Sequence, residues 1–559
     1  MEPMNPGTAP RYASSDRARH GLTPRETTRA NSLFVPIVLA ILAVAVVLRV
    51  FHLDYLSLWN DEIFSRYYYD LFGAKFLVTT GLTIEPTPPL YYFMLEPWMA
   101  AFGHSEVAMR SLSVVASLIA LPLVYAVARE LSNRTIALTA AALFALSPMA
   151  VYFAQEARVY MFTVIPTALM LLGIARYLRR ARNGDLAMYV VGAVVALYSH
   201  ATFTLMVAAC NAVVIVYLLV TRANAGAVGA VQAAGADPFD APRAAFSRTG
   251  AIVRWLLANV VVALGYLPLL LPMLSIGRHG TGLSWIPPLS FRDLLVALSA
   301  LVMGPITEMR LPGVELSGLL LAVVAACLWL KIMPRRALAV VVAIPALFFV
   351  LATVASLKQP ILIPRILCWV TLPLGVVLAY AIVVPSKLRL AARVATVLAF
   401  GVGMYWQIAH ADGAKPPFRE IFSATRAELT QADEVVLAPY ASAVLLKYYG
   451  PPIKTLLKWH DSQVTGIESN QMIDQFGIPL RARQQVIDDI KSGKSVAMVV
   501  TSPDSRFMPA LMDNVPPPQR RLESTCNIVP RNGVTPPPCI AVYGWNMPAS
   551  VPATSQLAQ

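Results

Sequence analysis

Charge is what this sequence has least of. Asp, Glu, Lys and Arg make up 14% of its 559 residues, where a soluble domain carries roughly 25%. Hydrophobic types reach 57% and the mean hydropathy is +0.60. That balance excludes a disordered chain, a fibrous protein and a soluble multidomain enzyme. It leaves a polytopic α-helical membrane protein, because this much apolar surface needs a bilayer as its solvent. Internal repeats are absent. So are a glycine-rich phosphate loop, a Ser-centred nucleophile elbow and a His/Cys/Asp cluster with the spacing of a tight metal site. No metal ligands are therefore assigned, although a divalent metal stays open. No basic stripe with interleaved aromatics lies outside the apolar runs, which removes nucleic acid as a partner.

Cysteine is scarce too, at five residues. Cys210, Cys327 and Cys368 lie inside apolar runs and read as small buried hydrophobes. Cys526 and Cys539 lie in the polar tail, around a Pro-rich stretch, and are the candidate disulfide of a non-cytoplasmic domain.

The charge that is present is unevenly placed. The net charge is +14, yet from His410 onward 14 Lys and Arg face 13 Asp and Glu. The basic excess belongs to the membrane part, as topology signal and anionic-lipid contact. Residues 1–31 carry Arg11, Arg17, Arg19, Arg25 and Arg29 and read as a cytoplasmic basic tail. The apolar run Ser32–Val50 then reads as an uncleaved first span. Further runs centre near Val115, Ala142, Leu169, Val194, Val213, Leu264, Ala322, Ala346, Gly375 and Val397, giving about eleven spans. This count puts the basic loops (Arg129 with Arg134, Arg176–Arg182, Arg222–Arg254, Lys331–Arg336, Lys387–Arg393) on the cytoplasmic side. Leu90–Phe102 and Phe291–Met303 are weaker and read as interfacial or re-entrant helices in outer loops. Residues 32–409 form the membrane domain, 410–549 a small soluble α/β unit on the non-cytoplasmic side, and 550–559 a frayed end. In that unit the strand-like runs are Glu434–Ala438, Ser495–Thr501 and Ile540–Trp545. Its helix-like runs are Phe418–Leu429, Ala441–Tyr449 and Arg483–Ser492.

The candidate site residues gather on the non-cytoplasmic face. Asp61 and Glu62 follow the first span in Leu58-Trp59-Asn60-Asp61-Glu62. Two carboxylates at a membrane surface read either as a general base with a partnered neighbour or as a helix-start pair on the macrodipole. Glu85-Pro86-Thr87-Pro88-Pro89 fixes an extended turn before Tyr91, Tyr92 and Trp98, an aromatic belt entry. Glu156, Arg158 and Tyr160 end another span, as an ion cluster or as a sugar or phosphate site. His200 ends a span as an interface residue or a ligand. Arg365 opens one, where a guanidinium either snorkels or meets a lipid phosphate.

These segments together resemble the dolichyl-phosphate-mannose-protein mannosyltransferase-like superfamily. This is glycosyltransferase family 39 with its bacterial relatives, including the aminoarabinose lipid A transferases, all of GT-C fold. The resemblance runs from about Leu33 to Tyr449. It rests on Leu58–Glu62, Pro88–Tyr92, Phe102–Glu106 with Arg110–Leu112, Leu146-Ser147-Pro148, Gln155–Tyr160, Tyr198-Ser199-His200 and Pro364-Arg365-Ile366. It implies an inverting transferase working on the outer leaflet, and the Ala/Pro-rich composition without eukaryotic-style targeting points to a bacterial inner membrane with the site in the periplasm. Such an enzyme takes a sugar from a polyprenyl-phosphate donor to a glycan, glycolipid or protein acceptor hydroxyl. Carried over, Asp61 is the base and Glu62 orients the site. Glu156, Arg158, Tyr160, His200, Arg365 and Tyr91 line the substrate, with Arg158 or Arg365 meeting the leaving phosphate. One departure stands out: many relatives have His or Lys before the Pro-Pro pair, and Thr87 stands here. Lys75, Arg66 and Arg365 are the substitutes at hand.

A transporter or flippase of lipid-linked sugars is the alternative, and a structural or assembly factor a third reading. A transporter calls for related halves and ionisable residues near the bilayer midplane. The missing repeat and the one-sided charges favour the enzyme.

Overall fold

The computed structural model describes residues 32–77, 87–221, 247–279, 286, 288–305, 311–409, 415–438, 442–460, 477–501, 511–524 and 540–548. Cys526 and Cys539, and the two chain ends, lie outside the described residues. Cys210, Cys327 and Cys368 are buried free thiols, as their apolar context requires.

Every one of the apolar runs is a helix. In chain order they and their short neighbours are α1 (Phe34–Val50), α2 (Asn60–Leu77), α3 (Leu90–Phe102), α4 (Glu106–Leu131), α5 (Arg134–Leu146), α6 (Pro148–Ala154) and α7 (Val164–Arg180). Then come α8 (Asn183–Ser199), α9 (Phe203–Val220), α10 (Arg248–His279), α11 (Phe291–Met303) and α12 (Leu311–Trp329). The last are α13 (Arg335–Leu338), α14 (Ile344–Ser356), α15 (Thr371–Val383) and α16 (Arg389–Ala409). Among the described residues six helices are long and apolar enough to cross a bilayer: Glu106–Leu131, Val159–Arg180, Phe203–Val220, Arg248–Leu274, Arg335–Ser356 and Pro364–Val383. The pair α5–α6, bent by 56°, makes up to seven. The chain is a multi-pass helical membrane protein. The finer expectation of about eleven spans also counts α16 and the shorter apolar helices α1, α8 and Glu315–Trp329.

Local chemistry sets the breaks. Ser105 and Asn133 cap α4 and α5 by accepting from the Ala108 and Ile136 amides. Ser147 caps α6 with Pro148 at its first position, and this stops α5 and starts α6 in a new direction. Glycine lets α7 and α8 touch backbone to backbone. A Cβ on Gly173 would lie 2.7 Å from the Tyr189 nitrogen, and one on Gly192 would lie 2.8 Å from the Met170 nitrogen.

The C-terminal unit is α/β. Its six strands are β1 (Glu434–Ala438), β2 (Leu456–His460), β3 (Leu480–Ala482), β4 (Val496–Thr501), β5 (Arg520–Ser524) and β6 (Ile540–Trp545), in the order β3-β2-β1-β4-β6-β5. The first four are parallel, and β6 and β5 add an antiparallel edge. β1 and β4 are buried at every residue, as central parallel strands covered on both faces must be.

Candidate active site

The segment before α2 is held from both sides. Arg110 projects from the first turns of α4 and forks onto Glu62, Nε to Oε1 at 2.9 Å and Nη2 to Oε2 at 3.0 Å. Its remaining donors reach the carbonyls of Leu53, Leu56 and Ser57 at 2.7–3.0 Å. From the other side come residues that follow the last apolar helix. Arg419 donates to Glu106 at 2.6 Å and to the Asp54 and Tyr55 carbonyls. Ser57 donates to Glu420 at 2.7 Å. The Tyr449 hydroxyl donates to Glu106 and accepts from the Leu58 amide.

Inside this brace the two adjacent carboxylates part company. Glu62 is fully buried. Besides Arg110 it accepts from the Ala157 amide at 2.8 Å and from Lys415 at 2.9 Å. Burial pushes its carboxyl up, but Arg110 and Lys415, with the hydrogen bonds from Arg110 and Ala157, outweigh it and hold the carboxyl at about 2. Lys415 also reaches Glu156 at 3.5 Å. Burial raises the Glu156 carboxyl, Lys415 opposes it, and the neighbouring Glu62 charge raises it further. Asp61 is instead 28% exposed, and it takes Arg365 at 2.7 Å with Arg158 at 3.9 Å. The two carboxylates, adjacent in sequence, thus face different surroundings, one locked and one open.

Asp61, Arg158, Tyr160, His200 and Arg365 come together. The Arg365 guanidinium lies 5.6 Å from the Tyr160 ring centroid and 5.8 Å from that of Trp59. Arg158 lies 5.9 Å from the Tyr160 centroid, and the His200 ring 6.1 Å from it. Burial, then the Arg365 and Arg158 charges, push His200 down to about 4. With the Thr202 amide donating to Nδ1, the neutral ring carries its proton on Nε2. Tyr91 is buried, 1% exposed and edge-on to Phe162 at 5.6 Å, within electrostatic range of Arg158, Glu62 and Glu156. Among the described residues no group of three His, Cys, Asp or Glu side chains is placed to hold a metal ion.

Sequence reasoning missed Arg110 and Lys415 as members of the site. Arg110 had a usable signal, a charge inside an apolar span that needs a buried partner. Lys415, in a polar linker, had none.

Residues 86–230 match the family described as dolichyl-phosphate-mannose-protein mannosyltransferase. Among curated proteins none matches the sequence. In structure the chain is similar to ArnT from Cupriavidus metallidurans bound to undecaprenyl phosphate, with a TM-score of 0.56 at 16% identity, over 94% of this chain and 100% of that one. It is similar also to the apo state of the same protein, with a TM-score of 0.53 at 15% identity, over 95% and 100%. The family match and the shared fold together bear out the resemblance read from the motifs: the chain has the GT-C fold and is similar to glycosyltransferase family 39.

Proposed function

We propose that this chain is an inverting membrane glycosyltransferase. It moves a sugar from a polyprenyl-phosphate donor to an acceptor hydroxyl at the periplasmic face, with Asp61 as the general base. The observation that carries the reading is the division of labour at Asp61 and Glu62. Glu62 has its oxygens filled by Arg110, Lys415 and backbone amides, so it fixes the loop. Asp61 keeps an accessible carboxylate beside two guanidiniums.

Charge supports the donor class. Beside Asp61 stand two guanidiniums, Arg365 and Arg158, so this one carboxylate leaves a positive charge for an anion. A lipid phosphate supplies it, and the similar ArnT is a protein seen bound to undecaprenyl phosphate. In the reaction the acceptor oxygen bonds to the anomeric carbon while its proton passes to Asp61. The bond from that carbon to the phosphate oxygen breaks, and its electron pair leaves with the phosphate. Arg365 and Arg158 meet the charge that develops there. Arg365 also stands in for the basic residue missing at Thr87, because it already shares Asp61's surroundings.

The test is transfer from a panel of polyprenyl-phosphate sugars by purified protein in lipid, wild type beside Asp61→Asn. Release of polyprenyl phosphate that falls by at least about 10²-fold in Asp61→Asn is the expected result. Unchanged release in the variant sinks the base assignment. Binding of a donor without turnover favours the flippase reading.

A further inference from the structure

α4 carries a second charged cluster at its other end. Arg110 and Glu130 stand on the same 26-residue helix, separated by about 30 Å at 1.5 Å per residue, the thickness of a bilayer's hydrocarbon core. The Glu130 side chain is 6% exposed, and four guanidiniums converge on it. Arg179 reaches it at 2.7 Å, Arg180 at 3.7 Å and Arg176 at 3.8 Å, all from the last turns of α7. Arg336, from α13, lies 3.7 Å from the carboxylate and donates to the Glu130 carbonyl at 2.8 Å.

The cluster is over-supplied with positive charge. One carboxylate cancels one of the four. The C-termini of α4 and α7 end here and contribute about half a negative charge each. Roughly two positive charges remain. The separations to Arg176, Arg180 and Arg336 are too long for hydrogen bonds to the carboxylate. Among the described residues, Arg176 Nε is buried without a hydrogen-bond acceptor. The three arginines are nonetheless 33%, 28% and 22% exposed, within reach of a ligand. Loop arginines that only set membrane orientation need no such convergence on a buried carboxylate.

The surroundings select the ligand. Tyr217 on α9 lies within electrostatic range of Arg335 and Arg336. One turn on, Leu219 and Val220 are 53% and 71% exposed. Trp329, at the end of α12 and six residues before Arg335, is 86% exposed. Cations at the end of a span, with exposed apolar side chains on the neighbouring helix ends, match a phosphate carrying acyl chains better than a soluble anion. We propose that the Glu130 arginine cluster binds the phosphate of an anionic phospholipid headgroup, on the membrane face opposite Asp61.

The test uses the full chain in vesicles of phosphatidylcholine, with and without diphosphatidylglycerol, reading the unfolding temperature and the lipid retained in native mass spectrometry. Wild type is expected to retain diphosphatidylglycerol and to unfold several degrees higher with it. The Arg176→Gln/Arg180→Gln double variant is expected to lose both effects while unfolding like wild type in phosphatidylcholine alone. Glu130→Gln keeps the arginines and removes their competitor, so it should gain more from the anionic lipid than wild type does. An equal rise in wild type and the double variant, or no rise in wild type, overturns the proposal. So does a full rise produced by inorganic phosphate in phosphatidylcholine vesicles, which would assign the site to a soluble anion. If the double variant fails to fold, the Glu130→Gln comparison decides: a gain no larger than that of wild type overturns the proposal.

Discussion

The two ends of α4 solve the same problem, buried charge beside a membrane, in opposite ways. At the Arg110 end, cations and carboxylates are nearly balanced and every oxygen of Glu62 is engaged, so one neighbouring carboxylate can stand partly exposed. At the Glu130 end a single carboxylate lies among four guanidiniums, and only Arg179 approaches to hydrogen-bond distance. Around Glu62 the charges are balanced and fix geometry, whereas beside Asp61 and around Glu130 guanidiniums outnumber carboxylates and leave room for an anion. Rigidity therefore comes from hydrogen-bond saturation rather than from the number of charges gathered.

The largest expected effect tests that contrast directly. Arg110→Met leaves Glu62 buried without its bidentate partner and frees the Leu53–Ser57 carbonyls. Breaking such a pair costs about 3–5 kcal/mol. Arg179→Met at the other end leaves three guanidiniums near Glu130 and should cost about 1 kcal/mol. Thermal unfolding of both variants in the same lipid measures the difference, and equal losses would break the comparison.

Acid sharpens it next. The Glu62 carboxyl lies at about 2 in the folded chain, against about 4.3 unfolded. A depressed carboxyl contributes stability that is full above the unfolded value and is lost as pH falls toward the folded one. That contribution, on the order of 3 kcal/mol, should disappear between about pH 4.5 and pH 2. Unfolding midpoints across that window should fall in wild type and stay flatter in Glu62→Gln, which starts lower. Parallel slopes would remove Glu62 as the node.

Much of this was legible in the sequence, and the misses share a cause. The apolar runs became helices because a bilayer-facing segment has no other way to satisfy its backbone. Glu434–Ala438 and Ile540–Trp545 became strands at the expected residues, being fully buried apolar runs. β2, β3 and β5 went unread: Lys458 and His460 interrupt the apolar pattern of Leu456–His460, and Leu480–Ala482 and Arg520–Ser524 are short, charged edge strands with little burial. Phe418–Leu429 divides into Phe418–Ala424 and Arg426–Gln431, with Thr425 departing from helical geometry. At the site, Asp61, Arg158 and Arg365 were legible from local motifs. The Asp61–Arg365 pair spans 304 positions and Lys415–Glu62 spans 353, and no local pattern records such a pairing.

Lys415 gives the most discriminating test. It is 4% exposed and bridges Glu62 to Glu156, so Lys415→Met leaves two buried carboxylates facing each other across a lost cation. That should cost about 1–3 kcal/mol. Glu156 has its carboxyl raised, so the folded chain favours its protonated form and its ionisation weakens the fold as pH rises past the unfolded value. Glu156→Gln removes that penalty. Alone it should be neutral to slightly stabilising above about pH 5, and combined with Lys415→Met it should recover most of the loss. Recovery read in unfolding midpoints would show that Lys415 serves chiefly to neutralise Glu156. No recovery would show that its bond to Glu62 is what holds the Asp61 loop, and the balanced end of α4 would then depend on Lys415 as much as on Arg110.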